Sequence, residues 1–368
     1  DGREAVAYQY AADLDFPHYY PVRSPSGKPL TVQYPEDHFS YHRSIWVNDI
    51  VQPPDHEPIS FYAIGLKEDS KRTAKGFRDC IRHVKFLGED VAGGKATIRT
   101  LATWLADFGQ LRVLDEQRRL RVVPLGRGEY LLDLQFEVQA TYGDMRIVSE
   151  WNHYAWPYVR MHAKFGVAAG GTITNSAGGI NEQGTHEKRA LWVDCSNCVD
   201  GVTEGLAVFP VANRASPPLW LVRDYGTFGP RRPDAQSGVP FVLKKGESLQ
   251  QHVGILVHSG DATTGRVAER HQLIRSVSDE FAVFASLAIG LSMIEPALCG
   301  EIRHCVLEQL QSVAGNGDVH KRENTVTGHL DFGQQAGQSG VGDRGGVDRE
   351  GIQRHSRAQS CERCEFGV

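Results

Sequence analysis

From Tyr130 to Gln139 the chain alternates. Tyr130, Leu132, Leu134, Phe136 and Val138 form one set; Leu131, Asp133, Gln135, Glu137 and Gln139 form the other. A period of two over such a run predicts an antiparallel strand with one face on a core. Ala96 to Leu105 is rich in strand formers, and Leu111 to Leu114 and Leu120 to Val123 are shorter apolar runs. Thr172–Thr174 between glycines, Phe241–Leu243 and Val253–Asp261 add further strands. Turn clusters such as Ser24-Pro25-Ser26-Gly27-Lys28 separate them, and the first 260 residues contain no comparable amphipathic helix. Short strands punctuated by glycine and proline predict an all-β fold, a large antiparallel β-sandwich or a barrel.

The pattern changes after Ser278. An apolar run, Phe281 to Ile294, is too short for a comfortable bilayer span. From Val313 to Val368 bulky apolar residues are sparse and Gly, Gln and Arg dominate. Such a stretch buries too little surface to offset its ordering entropy. The expected organisation is a sandwich domain over 1–278, a short apolar or helical segment over 279–312, and a disordered tail over 313–368.

Composition narrows the function classes. The 368 residues are 40% hydrophobic and 23% charged with a net charge of -5, as in a soluble globular protein. No basic stripe appears, so no nucleic-acid partner is expected. The sequence opens at Asp1 without Met or an apolar leader. That fits cytoplasmic residence or export after loss of a leader equally, and the compartment stays open. Seven cysteines include two C-x-x-C pairs, Cys195/Cys198 and Cys361/Cys364. The first lacks the strand-to-helix setting of a redox motif, and the separation of the two pairs and the second's place in the tail disfavour a shared zinc site. A complete P-loop, a strand-borne G-x-G-x-x-G and a G-x-S-x-G elbow are all absent.

Candidate chemistry concentrates in Pro35-Glu36-Asp37-His38-Phe39-Ser40-Tyr41-His42-Arg43-Ser44-Ile45-Trp46. His38 and His42 are four apart and share a face on either a helix or a strand. Strand phase would set His38, Ser40, His42, Ser44 and Trp46 opposite Phe39, Tyr41, Arg43 and Ile45. A histidine pair can move a proton, grip a hydroxylated ligand or hold a divalent metal. His18 with Tyr19 and Tyr20 is a candidate second wall of the same cleft. Trp151 to His162 interleaves four rings with two histidines and Arg160. Sugar rings have apolar CH faces and polar edges, so aromatic platforms beside His, Arg and Asp suit them. Glu187 and Asp194 bracket a strand-like Ala-Leu-Trp-Val and are candidate general bases. Asn213, Arg223, Asp224, Tyr225, His258 and Asp261 are further polar candidates at strand ends.

Several of these pieces together resemble a bacterial family of unknown function labelled PmoA-like, or "methane oxygenase PmoA". They are Pro35 to His38, His42-Arg43, Trp46, Arg160, Asn175-Ser176, Trp192-Val193-Asp194, Asn213, Val222 to Gly226 and Val257 to Asp261. One departure is Tyr41, which stands where that family's pattern carries the first of two adjacent histidines. This weakens any three-histidine metal site. The resemblance implies a β-sandwich of the large type seen in galactose mutarotase-like, sugar-processing proteins. A membrane copper oxygenase is rejected, because the chain has no long apolar span.

The leading expectation is a carbohydrate-active hydrolase, lyase or epimerase-type catalyst without a cofactor. His38 or His42 would be the acid or base, and Glu187 or Asp194 the opposing carboxylate. Arg43, Arg160, Arg223, Asn213, Tyr225 and His258 would bind substrate, with Trp46 and Trp192 as stacking surfaces. The alternatives are a non-catalytic sugar-binding module and an oxygenase with a divalent metal at His38/His42. Oligomeric state is left open.

Overall fold

A computed structural model describes residues 4–37, 39–148, 155–211, 217–232 and 239–272, and the backbone of 363–367. The chain divides into one unit, Asp1–Asp279 with Ser360–Val368, and a second, Glu280–Gln359. The second unit lies outside the described residues, and with it the expected apolar segment and most of the expected tail.

The described strands form three antiparallel sheets. The seven-stranded sheet runs β15 (Trp220–Arg223), β16 (Thr227–Pro230), β11 (Tyr158–Arg160), β3 (Ile45–Trp46), β2 (His18–Val22), β1 (Glu4–Gln9), β19 (Arg363–Gly367). The eight-stranded sheet runs β12 (Thr172–Asn175), β13 (Val193–Val199), β14 (Val202–Pro210), β18 (Ser248–Ser259), β9 (Glu129–Gln139), β8 (Leu111–Gly126), β7 (Lys95–Ala106), β6 (Cys80–Ala92). A small sheet adds β17 (Phe241–Leu243), β10 (Met145–Ile147), β4 (Ile50–Gln52) and β5 (Ile59–Ser60). Helix is confined to short pieces such as α1 (Asn181–Thr185) and residues 267–272. The fold is the expected large antiparallel sandwich. Its last strand, β19, lies within the stretch expected to lack structure and pairs with β1.

The two large sheets pack through their alternating faces. Register aligns Tyr8, Tyr19, Ile45, Val159, Phe228 and Val222 in one row across the seven-stranded sheet. All are buried in one hydrophobic cluster with Leu120, Leu132, Leu134 and Phe136 of the eight-stranded sheet. Because the pleat alternates, Trp46, Tyr158, Arg160, Thr227 and Arg223 fall on the opposite face of the seven-stranded sheet. That face carries the polar chemistry described below.

Polar ties lock the sheets together. The Tyr130 hydroxyl on β9 sits 3.0 Å from Ala5 O and 2.7 Å from Arg23 O. Arg118 Nη1 on β8 donates to Pro17 O at 3.0 Å, just before β2. Arg118 also pairs with Glu116, whose other oxygen accepts from Trp104 Nε1 at 2.8 Å. Glu116 and Arg118 are both buried and face inward. They explain a difference from expectation: Leu111–Leu114 and Leu120–Val123 are one sixteen-residue strand, β8. The charged pair interrupts the apolar run without interrupting the strand.

Removing one member of a buried ion pair strands the other charge, a loss of about 3–5 kcal/mol. Arg118→Met alone is expected to lose that much in urea unfolding. Glu116→Leu combined with Arg118→Met should recover most of it; strict additivity of the two substitutions would show that the pair does not interact.

Candidate functional site

The segment before β3 does not keep strand phase. Asp37 Oδ1 accepts from Phe39 N at 2.9 Å, and His42 N donates to Phe39 O at 2.8 Å. This local side-chain-to-backbone bond closes a turn in place of an extended run. Phe39 therefore folds onto His42, ring centroids 5.0 Å apart and stacked, rather than pointing to the opposite side. His38 lies outside the described residues.

His42 is wholly buried. Its Nε2 shares a hydrogen bond of 2.9 Å with the Tyr62 hydroxyl, and its Nδ1 lies 3.5 Å from Thr227 Oγ1. Thr227 Oγ1 also accepts from Arg160 Nη1 at 3.2 Å. Arg160 pairs through Nη2 with Asp37 and lies over the Tyr225 ring, 4.4 Å from its centroid. Tyr225 in turn stacks on Phe39 at 4.7 Å. The result is a continuous group: Asp37, Arg160, Thr227 and His42 linked by polar contacts, with Phe39 and Tyr225 laid across them. Phe39 and Tyr225 are partly exposed, whereas Arg160 is buried. Burial pushes the Tyr225 phenol up to about 12, against the neighbouring arginines, so it is a neutral hydrogen-bonding group at ordinary pH.

Beside it lies a second, more open group. Arg223 Nη1 donates to Glu182 Oε1 at 3.0 Å, and Asp224 N donates to Glu182 Oε2 at 3.1 Å. His186 Nε2 stands 3.2 Å from Glu187 Oε1, while its Nδ1 accepts from Val222 N at 3.2 Å. Burial, with Arg223 nearby, holds the His186 imidazole below its ordinary range, so it is neutral at pH 7. Arg231, buried next to Arg223 and Arg232, is pushed down to about 10 by desolvation, with Tyr158 and Glu187 acting the other way. The edge of β15 thus carries a mixed set of half-exposed acids and bases beside the aromatic pair.

Of the residues singled out from sequence, His42, Arg160, Glu187, Arg223 and Tyr225 gather around this face. Trp46 lies beneath it: it is fully buried and stacked on Tyr158 at 4.8 Å, so it packs the sheet and offers no platform to a ligand. Arg43 is also structural. It forms a buried pair with Asp15 and lies over the Tyr34 ring at 3.9 Å. His18 is sealed as a neutral ring, held to about 3 by burial and by Arg43. Asn213 lies outside the described residues.

Asp194, His258 and Trp192 do not join the group. Trp192 packs with Leu131, Phe209, Leu256 and Val267 in a separate small cluster on the outer side of the eight-stranded sheet. Asp194 and His258 share that side, two strands apart across β14, with Nε2 to Oδ1 at 2.7 Å and neither exposed. Asp194 also accepts from Ser196 Oγ at 3.0 Å. The pair is a clasp inside the sheet rather than an acid–base couple facing a ligand. Cys195 is buried and Cys198 exposed, on opposite faces of β13, so the first C-x-x-C is not poised as a dithiol. Among the described residues no three His, Cys, Asp or Glu side chains gather as a metal site. No described helix is long and apolar enough to cross a membrane.

Sequence reasoning missed Tyr62, Thr227, His186 and Arg231. The signal for Thr227 was its place in a short strand after the Tyr225-Gly226 turn. For Arg231 it was the Arg231-Arg232 doublet after Pro230.

Burial lowers the proton affinity of His258, but the hydrogen bond and charge of Asp194 outweigh it and raise the imidazole above its ordinary range. A raised folded-state value means stability is fully present below the unfolded value, about 6.5, and is lost as pH climbs through the folded one. As pH rises above about 6.5 the wild type should lose stability more steeply than Asp194→Asn. Denaturation midpoints across that range check this; parallel slopes would contradict it.

A family profile described as "Family of unknown function (DUF6807)" matches residues 1–272. Among solved structures the chain is similar to alpha-galactosidase AgaA of Geobacillus stearothermophilus in complex with 1-deoxygalactonojirimycin, at 11% identity and TM-score 0.31. That match covers 60% of this chain and 30% of the enzyme. AgaB of the same organism matches at 10% identity and TM-score 0.31, over 70% of this chain and 39% of the enzyme. An alpha-galactosidase from Lactobacillus brevis matches at 10% identity and TM-score 0.28, over 65% and 32%. The chain thus spans about a third of the length of these enzymes. No curated protein matches.

Proposed function

The chain belongs to DUF6807, a family of unknown function, and we propose that it is a carbohydrate-active protein. Its ligand would bind against the face of the seven-stranded sheet that carries Arg160 and Tyr225. The observation behind this reading is the partly exposed Phe39–Tyr225 stack, ringed by Arg160, Arg223, Asp37 and Glu182. An aromatic surface with charged edges suits the two sides of a sugar ring, apolar CH against the rings and hydroxyls toward the arginines and carboxylates.

Acid–base chemistry on such a ligand would fall to the His186–Glu187 pair. Both groups are partly exposed; His186 Nδ1 is taken by Val222 N, so the neutral ring donates its Nε2–H to Glu187, which is left as the base. His42 would act from beneath, orienting the Tyr62 and Thr227 hydroxyls rather than touching the ligand. This revises the direct acid–base role first given to His42. The second reading is a non-catalytic sugar-binding module. The full burial of His42 favours it, as does the engagement of Glu182 and Asp37 by arginines.

A panel of mono- and oligosaccharides titrated into the full chain tests the proposal. Tyr225→Ala should weaken the best binder about tenfold, equivalent to about 1.4 kcal/mol, with an unchanged circular dichroism spectrum. Glu187→Gln should abolish product formation while leaving that affinity nearly intact. Binding without product in wild type would leave the module reading. No sugar bound by wild type would remove both.

A further inference from the structure

The outer side of the eight-stranded sheet carries a second polar depression, separate from the face described above. It has a volume of about 450 Å³ and is lined among others by Leu87, Arg99, Arg119, Gln135, Gln250 and His252. That volume lies within the range of small-ligand sites, about 300–1,000 Å³. Register explains why these residues meet. Arg99 on β7 pairs with Arg119 on β8, Arg119 with Gln135 on β9, and Gln135 with His252 on β18. Directly paired residues on neighbouring strands point the same way, about 4.8 Å apart. The row is therefore cationic at one end and carries an amide and an imidazole at the other.

The local carboxylates do not neutralise it. Asp133 serves three cationic or potentially cationic groups at once: Arg121 at 2.6 Å, Arg119 at 3.4 Å and the His252 imidazole. Glu137, on the next row, also lines the depression. Arg99 is exposed and has no hydrogen bond or ion pair among the described residues. Arg119 Nε and Arg121 Nε are buried without a hydrogen-bond partner. Three arginines and a histidine thus share this side with Asp133, Glu137 and, at the exposed end of the Arg121 row, Asp90, and the Arg119 and Arg121 Nε donors are left over.

We propose that this depression binds an oxyanion-bearing molecule of sugar size. Arg99 and Arg119 would grip the carboxylate, sulfate or phosphate group. Gln250 and the free amide oxygen of Gln135 would hydrogen-bond its polar body, with His252 holding Gln135 in place through Nδ1 at 3.3 Å. Guanidinium groups on adjacent strands are suited to this grip, because each can offer two parallel N–H donors to one oxyanion.

Calorimetric titration of the full chain tests it. The probes are inorganic sulfate, inorganic phosphate and glucuronate, each against sodium chloride at matched ionic strength. Saturable binding of at least one probe above the chloride control is expected. Sulfate or phosphate alone would point to an ester-type ligand, and glucuronate alone to an acidic sugar. Arg99→Gln, at an exposed position, should weaken binding about tenfold, and Arg119→Gln should do so at least as strongly. Arg146→Gln, on the small sheet, and Tyr225→Ala, on the other face, should leave it unchanged. Heats no different from chloride, or equal losses in Arg99→Gln and Arg146→Gln, would overturn the proposal.

Discussion

The contact between the two large sheets is what everything else rests on. One row of side chains, from Tyr8 to Val222, faces the eight-stranded sheet, and every residue one step out of that row is turned the other way. Side-chain period two makes this all-or-none: a slip by one residue would exchange the apolar row with Trp46, Tyr158, Arg160 and Thr227. Tyr130, Arg118 and Gln251 hold the alignment by reaching across to backbone carbonyls of the facing layer. The polar face of the seven-stranded sheet is thus a consequence of the core on its other side.

Two buried Arg–Asp pairs, Arg43 with Asp15 and Arg232 with Asp49, and a half-open one, Arg160 with Asp37, then shape that sheet's loops. Pairs of this kind add little net stability, because desolvation offsets most of the attraction. Their effect here is geometric. Asp15 and Asp49 are sealed beside their arginines, whereas Asp37 is 37% exposed on a turn over the aromatic pair. Of the three carboxylates, Asp37 is the one in contact with solvent.

Much of the architecture was legible in the sequence. The alternation at Tyr130–Gln139 assigns the inner and outer sides of β9 correctly, down to the separate packing of Leu131. What hid β8 was a charged pair inside the core, since periodicity counts Glu116 and Arg118 as polar wherever they point. Site residues were harder to group. Alternation places Asp194 opposite Val193 and Cys195, and His258 opposite Val257. It does not say which sheet receives them or which side of it meets solvent. Strand phase does not hold across the histidine stretch for a local reason: the Asp37 carboxylate bonds the backbone at Phe39 and closes a turn. Long-range partners such as Arg160 and Thr227, 67 residues apart, become neighbours only through strand pairing.

The proposed sugar site lies on the Arg160–Tyr225 side of the seven-stranded sheet. Chemical-shift mapping of the labelled chain during titration with a binding saccharide tests it most directly. Perturbations should cluster at Phe39, Tyr62, Arg223 and Tyr225. A cluster at Trp192, Phe209 and Val267, on the outer side of the other sheet, would rule that site out.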